Sequence, residues 1–503
     1  MLWRLRRAFW NHFTTWKYHH AKPLPPPPSP TPEEPIGTVP FSTRFPHVPI
    51  EGIAVAERIP TDEVQMFALR FCQFQTLLNS VFPAMQHDVG EVDANPYDAL
   101  AEAFTKGHRK CYRAPRRPPG FKGGIDLGEI AVASPYACYL TKGNDGTHRW
   151  DLTAMEGFDL HAGVRAPAAV VEFSVDPATS SLRAVRIDSE LGVSSEGDSD
   201  WDASQRIAMC AATTHLTLVR HFNWIHLVCG APLALAARNT LPADHPVCRL
   251  LWPHLFATQS SNEFVTIVQM NPGGDFEKIF SYTHKGMCEL FEATAPGFDM
   301  RTVNPIADAR LRGVDDAPFA TPAHDNRCQL LGVIRDHVAR YLDLYYGSDT
   351  DVAADEAYAQ FVEAVRACMP GGVAELAGTP HTRSGAIELL STCIYMTTVE
   401  HEVVDSGVWD YQLWSDANPL RVYASGKRQP LDVYQRAVNA NIILNTPRTP
   451  LMDDYSYLAR DEPAGAAFQQ FQADLASLQH TMDKEPPTSW RIEPRQLKAS
   501  INA

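Results

Sequence analysis

The amino-acid sequence predicts a mainly α-helical protein with one small β element. Nearly every segment after residue 200 repeats its apolar residues with a helical period. Residues 165–187 instead read as two short strands around the turn residues DPATSS. With 503 residues, of which 45% are hydrophobic and 20% charged, the chain has an ordinary globular composition.

The first predicted element is a basic amphipathic helix at residues 1–21. Its apolar side chains fall on one stripe, formed by Leu2, Leu5, Phe9, Phe13 and Trp16. Basic side chains lie off that stripe, at Arg4, Arg7 and Lys17. Such a helix either lies in a membrane interface through residues 2–17 or packs on the protein's own body, and the sequence favours neither.

A proline-rich segment follows at residues 22–47, and we predict an extended linker outside any core. The globular part is expected to span residues 48–503 as a single domain. Within it, one long helix is marked by an apolar stripe that ends before Gly347. The stripe consists of Ile334, Val338, Tyr341, Leu342 and Tyr345.

Composition and missing motifs exclude several classes of protein. A net charge of −15 argues against a general nucleic-acid binder. Ten cysteines without a CxxC pair fit neither a zinc ribbon nor a disulfide scaffold, so we expect free thiols in a reducing compartment. No uncharged apolar run reaches about 18 residues and no GxSxG motif is present. We therefore expect a cytoplasmic protein, with peripheral membrane contact left open.

Two histidines stand five residues apart in the apolar stretch RHFNWIHLVCG, at His221 and His226. On a regular α-helix their side chains would diverge by roughly 140°. They could share one metal ion only if the helix contained a π-bulge, which is common at functional sites. On spacing alone, two unrelated histidines are the more favoured alternative.

A second candidate site lies in the segment TTVEHEVVD. His401 and Asp405 are four residues apart, so both side chains share one face of a helix. Imidazole together with carboxylate suits iron or manganese better than a closed structural zinc site.

These segments together resemble the lipoxygenase family. The pattern of two histidines five apart, then a His-Pro and a Leu-Leu-x-x-His, ends here in DHPVCRLLWPH at residues 244–254. PGGDFEKIFS, the helix containing His401 and the terminal LKASINA resemble later family segments in the same order. The resemblance implies a lipoxygenase-like helical catalytic domain without the N-terminal β-barrel of plant and animal members.

The resemblance also implies a ligand set. One non-haem iron, with manganese as the alternative, would be held by His221, His226 and His401. The main-chain carboxylate of Ala503 would complete the shell. Asp405 stands where the family usually has asparagine, so it either adds a charged ligand or lies behind the ligands and leaves a site open.

Three further positions depart from the family around the oxygen and substrate pocket. Val265 stands where the family has a small residue, and Thr266 replaces a common arginine. Gln269 replaces an apolar leucine, so its amide either meets a polar group of the substrate or bonds to protein.

We therefore expect a dioxygenase that abstracts hydrogen from a polyunsaturated fatty acid or related lipid and adds O2. An alternative is a repurposed member that acts on a more polar substrate or isomerises a hydroperoxide. A third hypothesis, from another class, is a lipid-binding protein without turnover, against which the three intact histidines argue.

Overall fold

A computed structural model describes residues 24–28, 41–44, 51–65, 116–369, 371–373, 376, 378–427, 433, 437, 449–485 and 489–501. The predicted amphipathic helix at residues 2–17 lies outside these ranges, and so does the terminal residue Ala503. Membrane contact through the N-terminal segment therefore stays a prediction.

The small β element is an antiparallel sheet of five strands in sequential order. Its strands are β3 (Thr141–Lys142), β4 (His148–Asp151), β5 (Ala169–Asp176), β6 (Ser181–Ser189) and β7 (Gly192–Ser195). Strands β5 and β6 form the hairpin that the sequence predicts, with Val171 opposite Ile187. Both of these side chains are buried, which fixes the face of the hairpin that packs on the helices.

The proline-rich segment contributes more than a linker. Strand β1 (Phe41–Arg44) pairs antiparallel with β2 (Glu51–Ala56), so part of the predicted linker is a strand. Leu24 is buried in the hydrophobic core, and the Trp252 indole donates a hydrogen bond to the Pro25 carbonyl at 2.7 Å. The prediction that this segment stays outside any core is wrong at Leu24, because an apolar side chain and an indole donor hold it on the helical body.

Helices make up most of the described chain. The first group consists of α1 (Thr61–Gln65), α2 (Leu127–Val132), α3 (Trp201–Thr214), α4 (Ala231–Thr240), α5 (Pro246–Leu255), α6 (Thr258–Val265), α7 (Asp275–Ile279) and α8 (His284–Thr294). The second group consists of α9 (Pro305–Arg312), α10 (Pro322–Leu342), α11 (Asp349–Ala354), α12 (Glu356–Cys368), α13 (Arg383–Tyr395), α14 (His401–Val404), α15 (Trp409–Gln412) and α16 (Glu462–Lys484).

Within the described ranges, three π-helical segments interrupt this pattern: His215–Gly230, Thr266–Met270 and Met396–Glu400. The first joins α3 to α4 without a break, so residues 201–240 form one continuous helical tract. This tract is buried over most of its length and lies at the centre of the fold.

Helix α10 confirms the predicted apolar stripe. Ile334, Val338, Tyr341 and Leu342 are buried where α10 packs against α13 and α16, whereas Tyr345 is half-buried. The helix ends at Leu342 and not at Gly347, because the following N–H groups bond three residues back, from Leu344 to the Tyr341 carbonyl at 3.2 Å and from Tyr345 to the Leu342 carbonyl at 3.0 Å.

No helix in the described ranges has the length and apolar character needed to cross a membrane. The eight cysteines among those residues are all free thiols, and six of them are buried. Free thiols are what the scattered cysteine pattern predicts.

Candidate metal centre

The π-helix at His215–Gly230 resolves the question of the two histidines. The backbone N–H of Ala231 bonds to the carbonyl of His226, five residues earlier, which is the π-helical spacing. With this winding, residues five apart share one face. His221 and His226 therefore point the same way, and their Nε2 atoms lie 3.1 Å apart. The π-bulge alternative is the one that the structure adopts.

His401 completes a triangle. It begins helix α14 directly after the π-helical segment Met396–Glu400. Its Nε2 atom lies 3.1 Å from the Nε2 of His221 and 3.1 Å from that of His226. All three imidazoles are at most 1% exposed. Three ring nitrogens thus converge on one point inside the core.

The partners of the outer ring nitrogens of His226 and His401 indicate that the Nε2 lone pairs of these two rings face this point. The side-chain amide of Asn262 donates to the His226 carbonyl at 2.8 Å, which leaves its Oδ1 to accept from His226 Nδ1 at 3.0 Å. His401 Nδ1 lies 3.1 Å from a Glu402 carboxylate oxygen. A proton on Nδ1 in both rings leaves the Nε2 atoms free to bind a metal.

Burial keeps the three imidazoles neutral. It lowers the pKa of His401 to about 3, with the Asp405 carboxylate opposing this shift. The pKa values of His221 and His226 lie well below the usual value for the same first reason. Neutral imidazole is the form that binds metals, so the rings do not need to lose a proton near pH 7.

The triangle fits a transition-metal ion. An ion bonded at right angles to three atoms 3.1 Å apart would lie about 2.2 Å from each, since 3.1 Å is divided by √2. That is close to ordinary metal–imidazole distances of about 2.0–2.1 Å. A face of three nitrogens with further positions for oxygen ligands suits iron or manganese.

Asp405 lies beside the triangle and has a different partner. Its Oδ2 atom is 2.9 Å from the Lys498 ammonium, while Oδ1 has no hydrogen-bond partner within the described part of the chain. One carboxylate oxygen of Asp405 lies within 4.8 Å of possible ligand atoms of His401 and Glu402. Asp405 is not part of the group formed by His221, His226 and His401. Its role as a ligand stays a prediction.

As far as it is described, the C-terminal tail packs near the π-helix that carries His221 and His226. The Ala499 carbonyl lies 2.7 Å from His254 Nδ1, and the Ala499 N–H bonds to the Thr449 carbonyl at 2.7 Å. The Ile501 side chain lies over Gly230, where an added Cβ would sit 2.3 Å from its Cδ1 atom. Ile501 thus anchors the tail on Gly230, which lies four residues beyond His226. The role of the Ala503 carboxylate as a ligand stays a prediction.

The predicted pocket residues lie on the helix that also carries Asn262. Val265 ends α6 and is 6% exposed. The Thr266 hydroxyl is satisfied locally, because it donates to the Glu263 carbonyl at 2.7 Å. Gln269 is 3% exposed, and its Oε1 atom has no hydrogen-bond partner among the residues that the structure describes.

Sequence reasoning missed four residues around the centre. Asn262 and Glu402 hold the outer nitrogens of His226 and His401, and Lys498 contacts both acidic residues next to His401. The available signal for Lys498 was a single charged residue in the otherwise uncharged stretch LKASINA. Gln412 was also missed; its side-chain amide donates to the Thr217 hydroxyl at 2.7 Å.

A buried ion-pair network connects the two helical segments that carry the histidine triangle. Arg220 and Glu400 each precede a histidine of the triangle by one residue, and they pair at 3.3 Å. Arg327 also pairs with Glu400, and its Nε donates to the Tyr395 hydroxyl at 3.2 Å. Buried charges are costly unless they are paired, so this network fixes the relative position of the two helices.

The chain is similar in sequence to lipoxygenases over part of its length. No protein-family profile matches the chain. It is 28% identical over 200 residues to the polyunsaturated fatty acid lipoxygenase ALOX8 of Mus musculus, and 28% identical over 218 residues to the linoleate 9/13-lipoxygenase of Pseudomonas aeruginosa. It is 27% identical over 216 residues to the human hydroperoxide isomerase ALOXE3. These matches cover 39–42% of this chain and 29–31% of the relatives.

Solved structures resemble the chain over most of its length. A coral 8R-lipoxygenase superimposes with a TM-score of 0.76 at 15% identity, covering 93% of this chain and 79% of that one. A manganese lipoxygenase gives a TM-score of 0.71 at 15% identity, covering 89% and 90%. The fold is therefore that of lipoxygenase catalytic domains, which confirms the predicted fold class.

Proposed function

We propose that this lipoxygenase-like protein is a non-haem metal dioxygenase that adds O2 to a polyunsaturated fatty acid or a related lipid. The observation that carries the proposal is the triangle of neutral Nε2 atoms from His221, His226 and His401. Burying three imidazoles whose Nε2 atoms face one another, two of them with their protons on the outer nitrogens, is costly unless a cation binds there. The relatives named above, which act on fatty acids by name, support the same reaction class.

The residues around the centre have separate tasks. His221, His226, His401 and the main-chain carboxylate of Ala503 would hold iron, or manganese in its place. When bound, the metal supplies the one-electron chemistry for removing hydrogen from a CH2 group between two double bonds. Asn262 and Glu402 keep protons on the outer ring nitrogens. The buried surroundings exclude water from the reacting carbon.

Two pocket residues would set the outcome. The branched side chain of Val265 narrows the space through which O2 approaches the substrate radical, where the family resemblance implies a small residue. The Gln269 amide oxygen, buried and without a described partner, would face the substrate chain. An unpaired amide costs about 1–3 kcal/mol, which disfavours a plain hydrocarbon chain.

A second candidate function follows from Gln269. A substrate that already contains a hydroxyl or hydroperoxide group could donate a hydrogen bond to its Oε1 atom. Oxygenation of such a polar lipid, or isomerisation of a hydroperoxide, is then favoured over reaction with a simple fatty acid. The similarity to a hydroperoxide isomerase supports including this class of substrate.

Oxygen uptake and product analysis test the two functions together. Linoleate, arachidonate and their hydroperoxides are supplied to the metal-loaded protein. We expect slow turnover of both fatty acids, and about tenfold faster turnover of them in Gln269→Leu, since 1.4 kcal/mol is a factor of ten. Gln259→Leu is the control, because Gln259 is equally buried on the same helix but donates to the Ala231 carbonyl at 2.9 Å.

Rapid oxygenation of linoleate by the unaltered protein would show that Gln269 does not select the substrate. Metal-loaded protein that binds fatty acids but converts neither these nor the hydroperoxides would support the lipid-binding hypothesis and contradict the proposal.

A further inference from the structure

A second group of acidic and basic side chains lies on the outer side of His401. The carboxylates of Glu402 and Asp405 approach each other and His401 within 4.8 Å, which is close enough to share a metal ion. The Lys498 ammonium already occupies that position, at 3.1 Å from Glu402 and 2.9 Å from Asp405. The chain thus supplies its own cation to this acidic pair.

Lys498 reaches this position from the C-terminal tail. The adjoining residues are held by main-chain hydrogen bonds, from Leu451 N–H to the Leu497 carbonyl at 2.9 Å and from Ala499 N–H to the Thr449 carbonyl. The ammonium is consequently buried, with the residue 2% exposed. Burial disfavours a charged amine, but the two carboxylates outweigh it and raise the pKa of Lys498.

These contacts form a chain from the tail to the metal centre. Lys498 pairs with Glu402, and the same Glu402 oxygen lies 3.1 Å from His401 Nδ1. The other Glu402 oxygen accepts from the Ser406 hydroxyl at 2.7 Å, which fixes the carboxylate. On the far side, Lys498 binds Asp405 through Oδ2.

We propose that Lys498 is a positioning residue for the metal centre, which binds the Asp405 carboxylate in place of the metal, while the Ser406 hydroxyl fixes Glu402 on His401. This inference rests on the proposed function, because it assumes that the three histidines hold a metal. Asp405 then acts through Lys498 and leaves a coordination position open. The Lys498 side chain therefore couples the docked position of the C-terminal tail to the charge beside the three histidines.

The test compares Lys498→Met, Asp405→Asn, the double variant and the wild-type protein, each stripped of metal with a chelator. Two quantities are measured: the melting temperature of the metal-free protein, and the affinity for added Mn²⁺ in competition with a chelator. Arg238→Met is the matched control, since it removes a buried ion pair with Glu63 at 3.0 Å that contacts none of the three histidines.

We expect Asp405→Asn to change the Mn²⁺ affinity less than threefold. Lys498→Met should lower the melting temperature by about 3–5 °C, because two carboxylates lose their buried counter-ion. It should also raise the Mn²⁺ affinity at least tenfold, because Asp405 is released to the metal. The double variant should recover part of the melting temperature, because only Glu402 then lacks its counter-ion, and its affinity should lie within threefold of wild type. Arg238→Met should lose stability with unchanged affinity.

A loss of affinity of tenfold or more in folded Asp405→Asn would show that Asp405 is a ligand and would overturn the inference. Unchanged affinity in folded Lys498→Met would overturn it as well. Should Lys498→Met fail to fold, the result for Asp405→Asn decides alone. If the wild-type protein binds neither Mn²⁺ nor iron, the proposed function itself fails. This result differs from a failure of the inference about Lys498, because every outcome above requires that the wild-type protein binds metal.

Discussion

At the scale of single residues, the centre depends on side chains that orient the ligands. Asn262 is the clearest of them, because its amide contacts both the backbone and the ring of His226. Sequence comparison identified the three histidines from their spacing and order, but it had no means of finding Asn262. Its position depends on how helix α6 packs across the π-helix, which spacing along the chain does not encode.

Replacing Asn262 with leucine should therefore weaken metal binding about 10- to 100-fold, because the preferred tautomer of His226 is no longer fixed. The measurement is Mn²⁺ affinity by chelator competition. Asn326→Leu is the matched control, since Asn326 also makes two bonds to a backbone segment, at Ile492, without contacting a histidine of the centre. Equal affinities in the two variants would contradict this role.

A second prediction at the scale of residues concerns the stability of the protein at acidic pH. His337 is buried against Phe471, with ring centroids 4.3 Å apart, and burial lowers its pKa to about 3. Between pH 6.5 and 3 the unfolded chain takes up a proton at this residue and the folded chain does not. The free energy of unfolding must therefore fall as the pH drops through this window.

His337→Phe should reduce the pH slope of the unfolding free energy by about 1.4 kcal/mol per pH unit between pH 6 and 4. The measurement is denaturant unfolding of metal-free protein at several pH values. His480→Gln, on the exposed face of α16, should leave the slope unchanged. A variant of His337 with the wild-type slope would show that the imidazole is protonated in the folded protein.

At the scale of secondary-structure elements, the sequence predicted the π-helix only as one of two alternatives. Five-residue spacing is compatible with two unrelated histidines, and the energy that selects the π winding comes from tertiary packing. Gly230 is part of that packing. A Cβ atom there would lie 2.6 Å from the Ile225 carbonyl, five residues earlier, and 2.3 Å from the Ile501 side chain.

Gly230→Ala should destabilise the protein by about 1–3 kcal/mol, because the carbonyl cannot move without disturbing the π winding. It should also weaken metal binding by displacing Ile501 and the tail. Gly332→Ala is the control, since no atom lies within 4 Å of an added Cβ there, and it should be neutral or stabilising by up to about 1 kcal/mol. Thermal unfolding and Mn²⁺ affinity check both variants, and equal behaviour would contradict the packing argument.

At the scale of the whole molecule, the helical class, the β5–β6 hairpin and the apolar stripe of α10 followed from local patterns. The docking of Leu24 and the ion pairs of Lys498 did not, because each joins segments far apart in the chain. Local periodicity predicts which face of an element is buried. It does not predict which distant residue covers that face.

The tail supplies a prediction at this scale. If the Ala503 carboxylate is a ligand, residues added after it move the charge away from the metal. An extension of several residues at the C-terminus should therefore abolish most metal binding, whereas one at the N-terminus should not. Elemental analysis of the two proteins checks this, and equal metal content would remove Ala503 from the ligand set.

The most direct test of the central claim is the metal content of the purified, unchelated protein, measured beside His221→Ala and His401→Ala. Three neutral imidazoles that converge at 3.1 Å predict one iron or manganese ion per chain in the wild type. Both variants should retain their fold and lose most of that metal. A well-folded wild-type protein without iron or manganese, or full occupancy in both variants, would contradict the account.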